Sequence, residues 1–270
     1  VTQTRAPDFN APPGALELFW RKVRYDAMRA IGASSFTTRA KGARFVVNTT
    51  DFIDRELALK GVWEGEQLED FAAICRSHHV DYFLDIGANA GVYSVLFAIH
   101  RLGGEIVAFE PDPGNHARLI ANIEANGLSD AVRVVRAAVG DKAGEMILME
   151  AGAHNRGESW IAHPDKPPEE AAGVAQHVVK QIRFDDAFNI SDKTILVKMD
   201  VEGSEFHALA GMERTLRDNR CYLQVELYSD RFDELKALFA RLGYRYLKTN
   251  YIDHYFTNIP DVGHWSGPRR

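Results

Sequence analysis

The chain has 270 residues, 46% of them hydrophobic and 10% aromatic, which is enough to bury a full core and points to one large domain with an N-terminal extension. A net charge of −6 argues against nucleic acid as the main partner, since such chains present a basic face. No apolar run is long enough to span a bilayer, and no secretory signal is seen.

In chain order, Val1–Pro13 is polar and proline-rich and reads as a tail. Ala15–Ile31 has the 3.6-residue period of an amphipathic helix, with Leu16, Phe19, Trp20, Val23, Ala27 and Ala30 near one face. That face is expected to pack on the core; a dimer contact or a substrate lid are the alternatives. Arg44–Val47 suggests a short strand. Thr50 or Asp51 can cap a helix that runs through Leu59 and stops at Gly61, and a second helix covers Glu66–Arg76. His78 and His79 follow it as capping or solvated residues. Cys75 and Cys221 lack any metal-ligand spacing and read as buried thiols in a reducing, cytoplasmic setting.

The centre of the chain alternates strand and helix: Tyr82–Ile86, Val92–His100, Glu105–Phe109, Gly114–Asn126 and Val132–Ala137. Between the first strand and helix lies a glycine loop, Gly87-Ala-Asn-Ala-Gly91, where missing Cβ atoms permit a sharp turn and close approach. Glu110 ends the next strand about 20 residues on, where a carboxylate can accept both ribose hydroxyls. Asp85, two residues before the loop, suits a ligand that carries positive charge. A dinucleotide fingerprint would need glycine where Asn89 and Val92 stand, and a pyrophosphate would sit badly beside Asp85. S-adenosylmethionine, with an ammonium and a sulfonium and no phosphate, fits better.

Glu145–Glu150 is a strand candidate. Residues 151–175 break the pattern and are expected to form a substrate loop, because unstructured stretches of that length inside a domain are usually functional. Val178–Phe184 resumes as a strand, and Asp185-Asp186 starts a short helix. In Ile195–Glu205 a strand runs out into Lys198, Asp200 and Glu202 on one side. Asp200 then stands at the carboxyl end of a parallel strand, where open α/β sheets bind ligands. Capping explains Ser204 but not Lys198 and Asp200, since buried charge is costly unless paired or used. A helix over Phe206–Leu216, a strand over Tyr222–Leu227, a helix over Phe232–Leu242 and a closing hairpin, Tyr244–Lys248 with His254–Phe256, complete a mixed sheet.

Asp85-Ile-Gly-Ala-Asn-Ala-Gly91, Phe109-Glu-Pro-Asp112 and Lys198-Met-Asp-Val-Glu-Gly-Ser-Glu205 together resemble the FkbM-type S-adenosylmethionine-dependent methyltransferases, over roughly Trp63 to Phe256. The resemblance implies an α/β class I methyltransferase (Rossmann-like) fold: a seven-stranded mixed sheet with the last strand antiparallel, after an N-terminal helical extension. The division expected is 1–62 for the extension and 63–270 for the S-adenosylmethionine-binding domain. It implies O-methylation of a hydroxyl on a sugar, glycan or small natural product. Carried over by position, Asp85, Gly87, Ala88, Asn89 and Gly91 would hold the methionine part of the cofactor. Glu110 would hold the ribose, Pro111 and Asp112 the adenine edge, and Ala137 and Ala138 would lie by the adenine. Glu64 would close over the cofactor. Asp200 is the first candidate for the base that helps the hydroxyl attack, followed by His207, Glu226 and His254. No metal ligand set is assigned. No Asn/Asp-Pro-Pro-aromatic segment follows Asp200 and neither cysteine follows a proline, which disfavours base-amine and C5-cytosine chemistry. An NAD-type oxidoreductase and a nucleic-acid or protein methyltransferase are the alternatives.

Overall fold

The computed structural model describes residues 8–150, 159–162 and 175–262. Most of the expected substrate loop lies outside the described residues, as do residues 1–7.

The extension starts with α1 (Ala15–Ala30) and a hairpin, β1 (Ser35–Ala40) and β2 (Ala43–Asn48). Only part of β2 is anticipated by the periodicity. The missed signal is Lys41-Gly42, both at positive φ (47° and 87°), a two-residue turn whose twist matches antiparallel strands. The free edge of β2 is closed by side chains: Asn122 Oδ1 accepts from Val46 N at 2.7 Å, and Asn126 both accepts from Arg44 N and donates to Arg44 O. Helix α2 (Phe52–Lys60) is capped by Asp51, which accepts from Asp54 N, and ends at Gly61 in the left-handed region. Phe45, Val47 and Leu57 join the same buried cluster as Phe71, Phe83 and Val95 of the central layer. Phe9 is also fully buried, so the tail is anchored from there on.

After α3 (Gly65–Ser77) come β3 (Tyr82–Ile86), α4 (Val92–His100), β4 (Glu105–Phe109), α5 (Pro113–Ala125) and β5 (Val132–Val135). The chain then makes β6 (Ala138–Val139), β7 (Gly144–Met149), β8 (Trp160–Ile161), β9 (Gln176–Ile182) and the short α6 (Phe184–Ala187). It closes with β10 (Thr194–Met199), α7 (Glu205–Gly211), α8 (Glu213–Asp218), β11 (Arg220–Glu226), α9 (Phe232–Arg241), β12 (Arg245–Asn250) and β13 (Asp253–Thr257). The main sheet has seven strands in the order β12-β13-β11-β10-β3-β4-β5. The pairings from β11 to β5 are parallel, and β13 lies antiparallel between β11 and β12. This is the class I methyltransferase architecture, with the last strand reversed.

Two differences from the sequence reading have physical causes. Phe206–Leu216 is two helices, not one. Gly211 packs against the Gly140 carbonyl, where a Cβ would come within 2.0 Å, and Asp185 accepts from Arg214 N and Thr215 N to start the second helix. Strands β6, β9, β7 and β8 also form a second sheet in that order, and Trp160–Ile161, inside the stretch expected to be irregular, pairs with Leu148–Met149.

Candidate functional site

The strand order reverses at β3, with β10 on one side and β4 on the other, and the candidate site opens above the carboxyl ends of these strands. The loop after β3 is fixed by Phe109 O, which accepts from both Gly87 N and Ala88 N. Asp200 N donates to Ile86 O at 3.0 Å, so the end of β10 closes on the same loop. Gly87 has φ 83°, and a Cβ there would lie 1.7 Å from the Asp200 carbonyl oxygen. Gly91 has φ 80°, and its Cβ would strike Leu119. Both glycines therefore serve close protein packing, which builds the loop, and Gly87 also lines a cavity of the site. Asn89, between them, also has positive φ (51°), a conformation that asparagine tolerates better than most residues.

Two cavities meet here. The first, of about 590 Å³, is lined by Gly87, Asn89, Glu110, Pro111, Ala137 and Ala138 among others. The second, of about 1070 Å³, is lined by aromatic side chains, Phe52, Trp63, Tyr228 and Tyr251, and by the acids Glu64, Glu226 and Asp253. Asn89, Asp200 and Glu202 belong to both.

Glu110 is buried at the rim of the first cavity. Its Oε2 accepts from Asn89 N and its Oε1 from Asp112 N, each at 2.8 Å. Burial pushes its carboxyl up to about 8 in spite of those donors. Asp85 lies beneath the loop and lines neither cavity; its Oδ2 accepts from Ser94 N and Ser94 Oγ, and burial raises its pKa. It thus occupies the N-terminal turn of α4. Two buried acceptors near the loop, Asp85 Oδ1 and Asn89 Oδ1, have no hydrogen-bond partner among the described residues. Of the two, only Asn89 lines the cavities, so its unsatisfied acceptor suits a ligand that brings donors and positive charge.

Lys198 is the buried cation of the site. Its Nζ donates to Asp200 Oδ2 at 2.9 Å and lies 5.2 Å from the Tyr93 ring centroid. Burial alone would lower its pKa, but Asp200, Glu64, Asp85 and Glu226 outweigh that and hold it raised. Glu64 accepts from the Tyr93 hydroxyl at 2.6 Å, and burial takes it up to about 7. Glu226 is pushed up to about 9, by burial first and then by Asp200. Asp200, Glu202 and Glu226 each bring an oxygen within 4.8 Å of one another, a spacing that could hold a cation. Asp253 is held from two sides by Gln224 and Gln67.

Of the residues singled out in the sequence, Glu64, Gly87, Asn89, Glu110, Pro111, Ala137, Ala138, Asp200 and Glu226 line one cavity or the other. Asp112 is a buried cap that accepts from Asn115 N, Gly91 caps α4, and Ala88 is buried; none of these lines either of the two cavities. His207 faces Asp141, with 3.3 Å between Nδ1 and Oδ2, and His254 stacks on Phe232 and bonds Thr249; both are away from the cavities. Phe52, Trp63, Tyr228, Tyr251 and Asp253 were not anticipated. They come from separate segments with no shared motif.

Among relatives, the chain is 27% identical over 161 residues to the 2-O-methyltransferase NoeI of Sinorhizobium fredii (strain NBRC 101917 / NGR234), a match that covers 54% of this chain and 63% of NoeI. The chain thus spans just under two thirds of that relative. Among solved structures it is similar to methyltransferase FkbM from Methylobacillus flagellatus KT, with 18% identity, 66% of this chain and 43% of that one covered, and a TM-score of 0.45. It is also similar to the SAM-dependent methyltransferase from Agrobacterium tumefaciens, with 11% identity, coverage of 83% and 69%, and a TM-score of 0.47. The methyltransferase FkbM domain model matches residues 85–246, well over half of the chain, from the acid before the glycine loop through β11 into β12. The chain belongs to the FkbM methyltransferase family.

Proposed function

We propose that the protein is an S-adenosylmethionine-dependent O-methyltransferase whose acceptor is a hydroxyl of an uncharged sugar, glycan or small natural product. The observation that carries this reading is the junction of the two cavities at Asp200. On one side stands a carboxylate able to take a ribose, Glu110. On the other stands a chamber of aromatic faces and acids. Aromatic rings with convergent acceptors suit a polyhydroxyl acceptor, whereas a phosphate would meet carboxylates throughout.

The unpartnered oxygen of Asn89, a residue that lines both cavities, fits the cofactor's positive charge, while Asp85 supports the loop from beneath. When bound, S-adenosylmethionine supplies a methyl group whose bond to sulfur breaks as the acceptor oxygen attacks in line. The chain's task is to align that oxygen and exclude water. In this proposal Asp200, anchored by Lys198, accepts a hydrogen bond from the attacking hydroxyl and orients it. Glu226, across the gap, takes the proton onto a carboxylate oxygen in its ionised form, which a pKa of about 9 makes scarce at pH 7 and which Lys198 and the cofactor's positive charge favour. Glu110, with Pro111, Ala137 and Ala138, frames the adenosine.

The oxidoreductase alternative is disfavoured because a pyrophosphate needs the bare amides at the start of α4, and Asp85 already accepts from Ser94 N there. Nucleic acid is disfavoured by the acidic second cavity. Calorimetry with S-adenosylmethionine, its demethylated product and NAD tests the cofactor. Saturable binding of the first two alone is expected, and binding of NAD alone would overturn the reading. A screen of neutral glycosides against their phosphorylated forms then tests the acceptor.

A further inference from the structure

Helix α1 does not bury the apolar stripe that the sequence gives it. Leu16 is 71% exposed, Phe19 57%, Trp20 59%, Val23 41% and, just past the helix, Ile31 74%. The expectation that this stripe packs on the core fails for a geometric reason: the opposite edge is the one fastened down. Tyr25, half a turn of the wheel away, is buried with its hydroxyl on Thr49 O, and the Arg21 guanidinium donates to Ala58 O and Arg39 O. The stripe is therefore held outward. A continuous exposed apolar face of this kind marks an interaction surface.

Charge says which kind. Residues 1–50 carry eight Lys and Arg against three Asp and Glu, a net of +5. The remaining 220 residues carry 24 against 35, a net of −11. Beside Trp20, between α1 and the hairpin, runs an open groove of about 850 Å³ lined by Phe36 and by Arg21, Arg24, Arg39 and Arg44, with Glu17 as its one acid. A symmetric dimer through this face would bring the groove arginines of one copy toward those of the other, because a twofold contact apposes the same patch. Nucleic acid would leave the apolar stripe in water.

We propose that α1 and the β1–β2 hairpin dock this domain on an anionic lipid bilayer, with Phe19, Trp20 and Val23 in the headgroup–acyl boundary and Arg24, Arg39 and Arg44 on lipid phosphates. An amphipathic helix with aromatic and aliphatic residues on one face and arginines around it is built for that boundary. Docking would bring the second cavity close to the surface, since α1 packs on α2, and α2 supplies Phe52 and Ile53 to that cavity.

The test is vesicle flotation of the full chain. Vesicles of pure phosphatidylcholine are compared with vesicles containing a third phosphatidylglycerol, at low and high salt. Capture by the anionic vesicles only, weakened by salt, is expected. Phe19→Glu and Trp20→Glu should each abolish capture. Arg39→Glu combined with Arg44→Glu should lower partition about 30-fold or more. Each variant should keep its helical circular dichroism and its S-adenosylmethionine affinity, which separates lost docking from lost folding and keeps the test independent of the activity proposed above. No capture by anionic vesicles, or equal capture by neutral ones, would overturn the proposal. So would a protein that is dimeric by light scattering and becomes monomeric in Trp20→Glu, which would assign the face to a second copy.

Discussion

The two cavities are built in opposite ways. The first is framed by backbone: the Gly87–Gly91 turn, the Phe109 carbonyl that holds it, and Glu110, whose two oxygens clamp Asn89 N and Asp112 N. The second is framed by side chains from α2, the turn before α3, the end of β11 and the turn between β12 and β13. A frame made of backbone tolerates almost no substitution, because its atoms cannot move aside. A frame made of side chains can be re-lined without disturbing the fold. The first wall is where a chemistry common to a family is expected, and the second is where acceptor choice can vary.

The sharpest way to break this comparison is at Gly87. Gly87→Ala puts a methyl 1.7 Å from a backbone carbonyl in a left-handed conformation, so the ends of β3 and β10 must part. We expect a loss of about 3 kcal/mol or more of stability and no measurable S-adenosylmethionine binding; thermal melting and calorimetry check it. A variant that melts normally and binds would show that the backbone frame is softer than described. Next in size is Glu226→Gln on the other side. It keeps the shape of the acceptor wall and removes the proposed base, so kcat should fall about 10²–10³-fold with cofactor affinity nearly unchanged. An unchanged kcat would move the proton to Asp200. Glu110→Gln is its mirror image: cofactor affinity should fall about 10–100-fold while the acceptor KM, measured at saturating cofactor, holds. If both variants changed both constants equally, the two cavities would be one energetic unit.

The same contrast explains what could be read in advance. Asp85, the glycine loop, Glu110 and Lys198–Glu205 sit in contiguous segments, because a backbone-framed wall needs consecutive residues, and the sheet order follows from the alternation of strand and helix. Trp63, Tyr228, Tyr251 and Asp253 carry no local signal, since only the packing of distant turns brings them together. His207 shows the converse error. It follows the second motif closely, but α7 aims it at Asp141 beside the small sheet. The exposed stripe of α1 was legible as amphipathic, yet its direction depended on where Tyr25 and Arg21 found partners.

The smallest effect concerns pH, and it separates the two walls once more. Burial raises Glu110 to about 8 and Glu226 to about 9, so the folded chain holds these protons more tightly than the unfolded chain, whose carboxyls titrate near 4.5. The stability linked to each is complete below about 4.5 and is lost as pH rises through the folded value, so the ligand-free protein should weaken between pH 7 and 9. Glu64, raised to about 7, and the raised Asp85 and Asp253 weaken the fold in the same direction as pH rises, while Lys41, lowered from 10.5, opposes them. His100, His116 and His254 are lowered from 6.5 and act below that window, and the raised Lys198 and the cysteines, both raised to about 12, act above it. Allowing for water reaching Glu226, a loss of about 1–2 kcal/mol is expected, seen as a Tm lower by about 5 °C at pH 9 than at pH 7. Glu226→Gln should flatten that slope by about half, because the acceptor wall crowds acids around Glu226 while two backbone N–H groups already favour the ionised form of Glu110. Glu110→Gln should flatten it less, and equal flattening would mean that burial alone, and not the company of Asp200, sets the charge state of the acceptor wall.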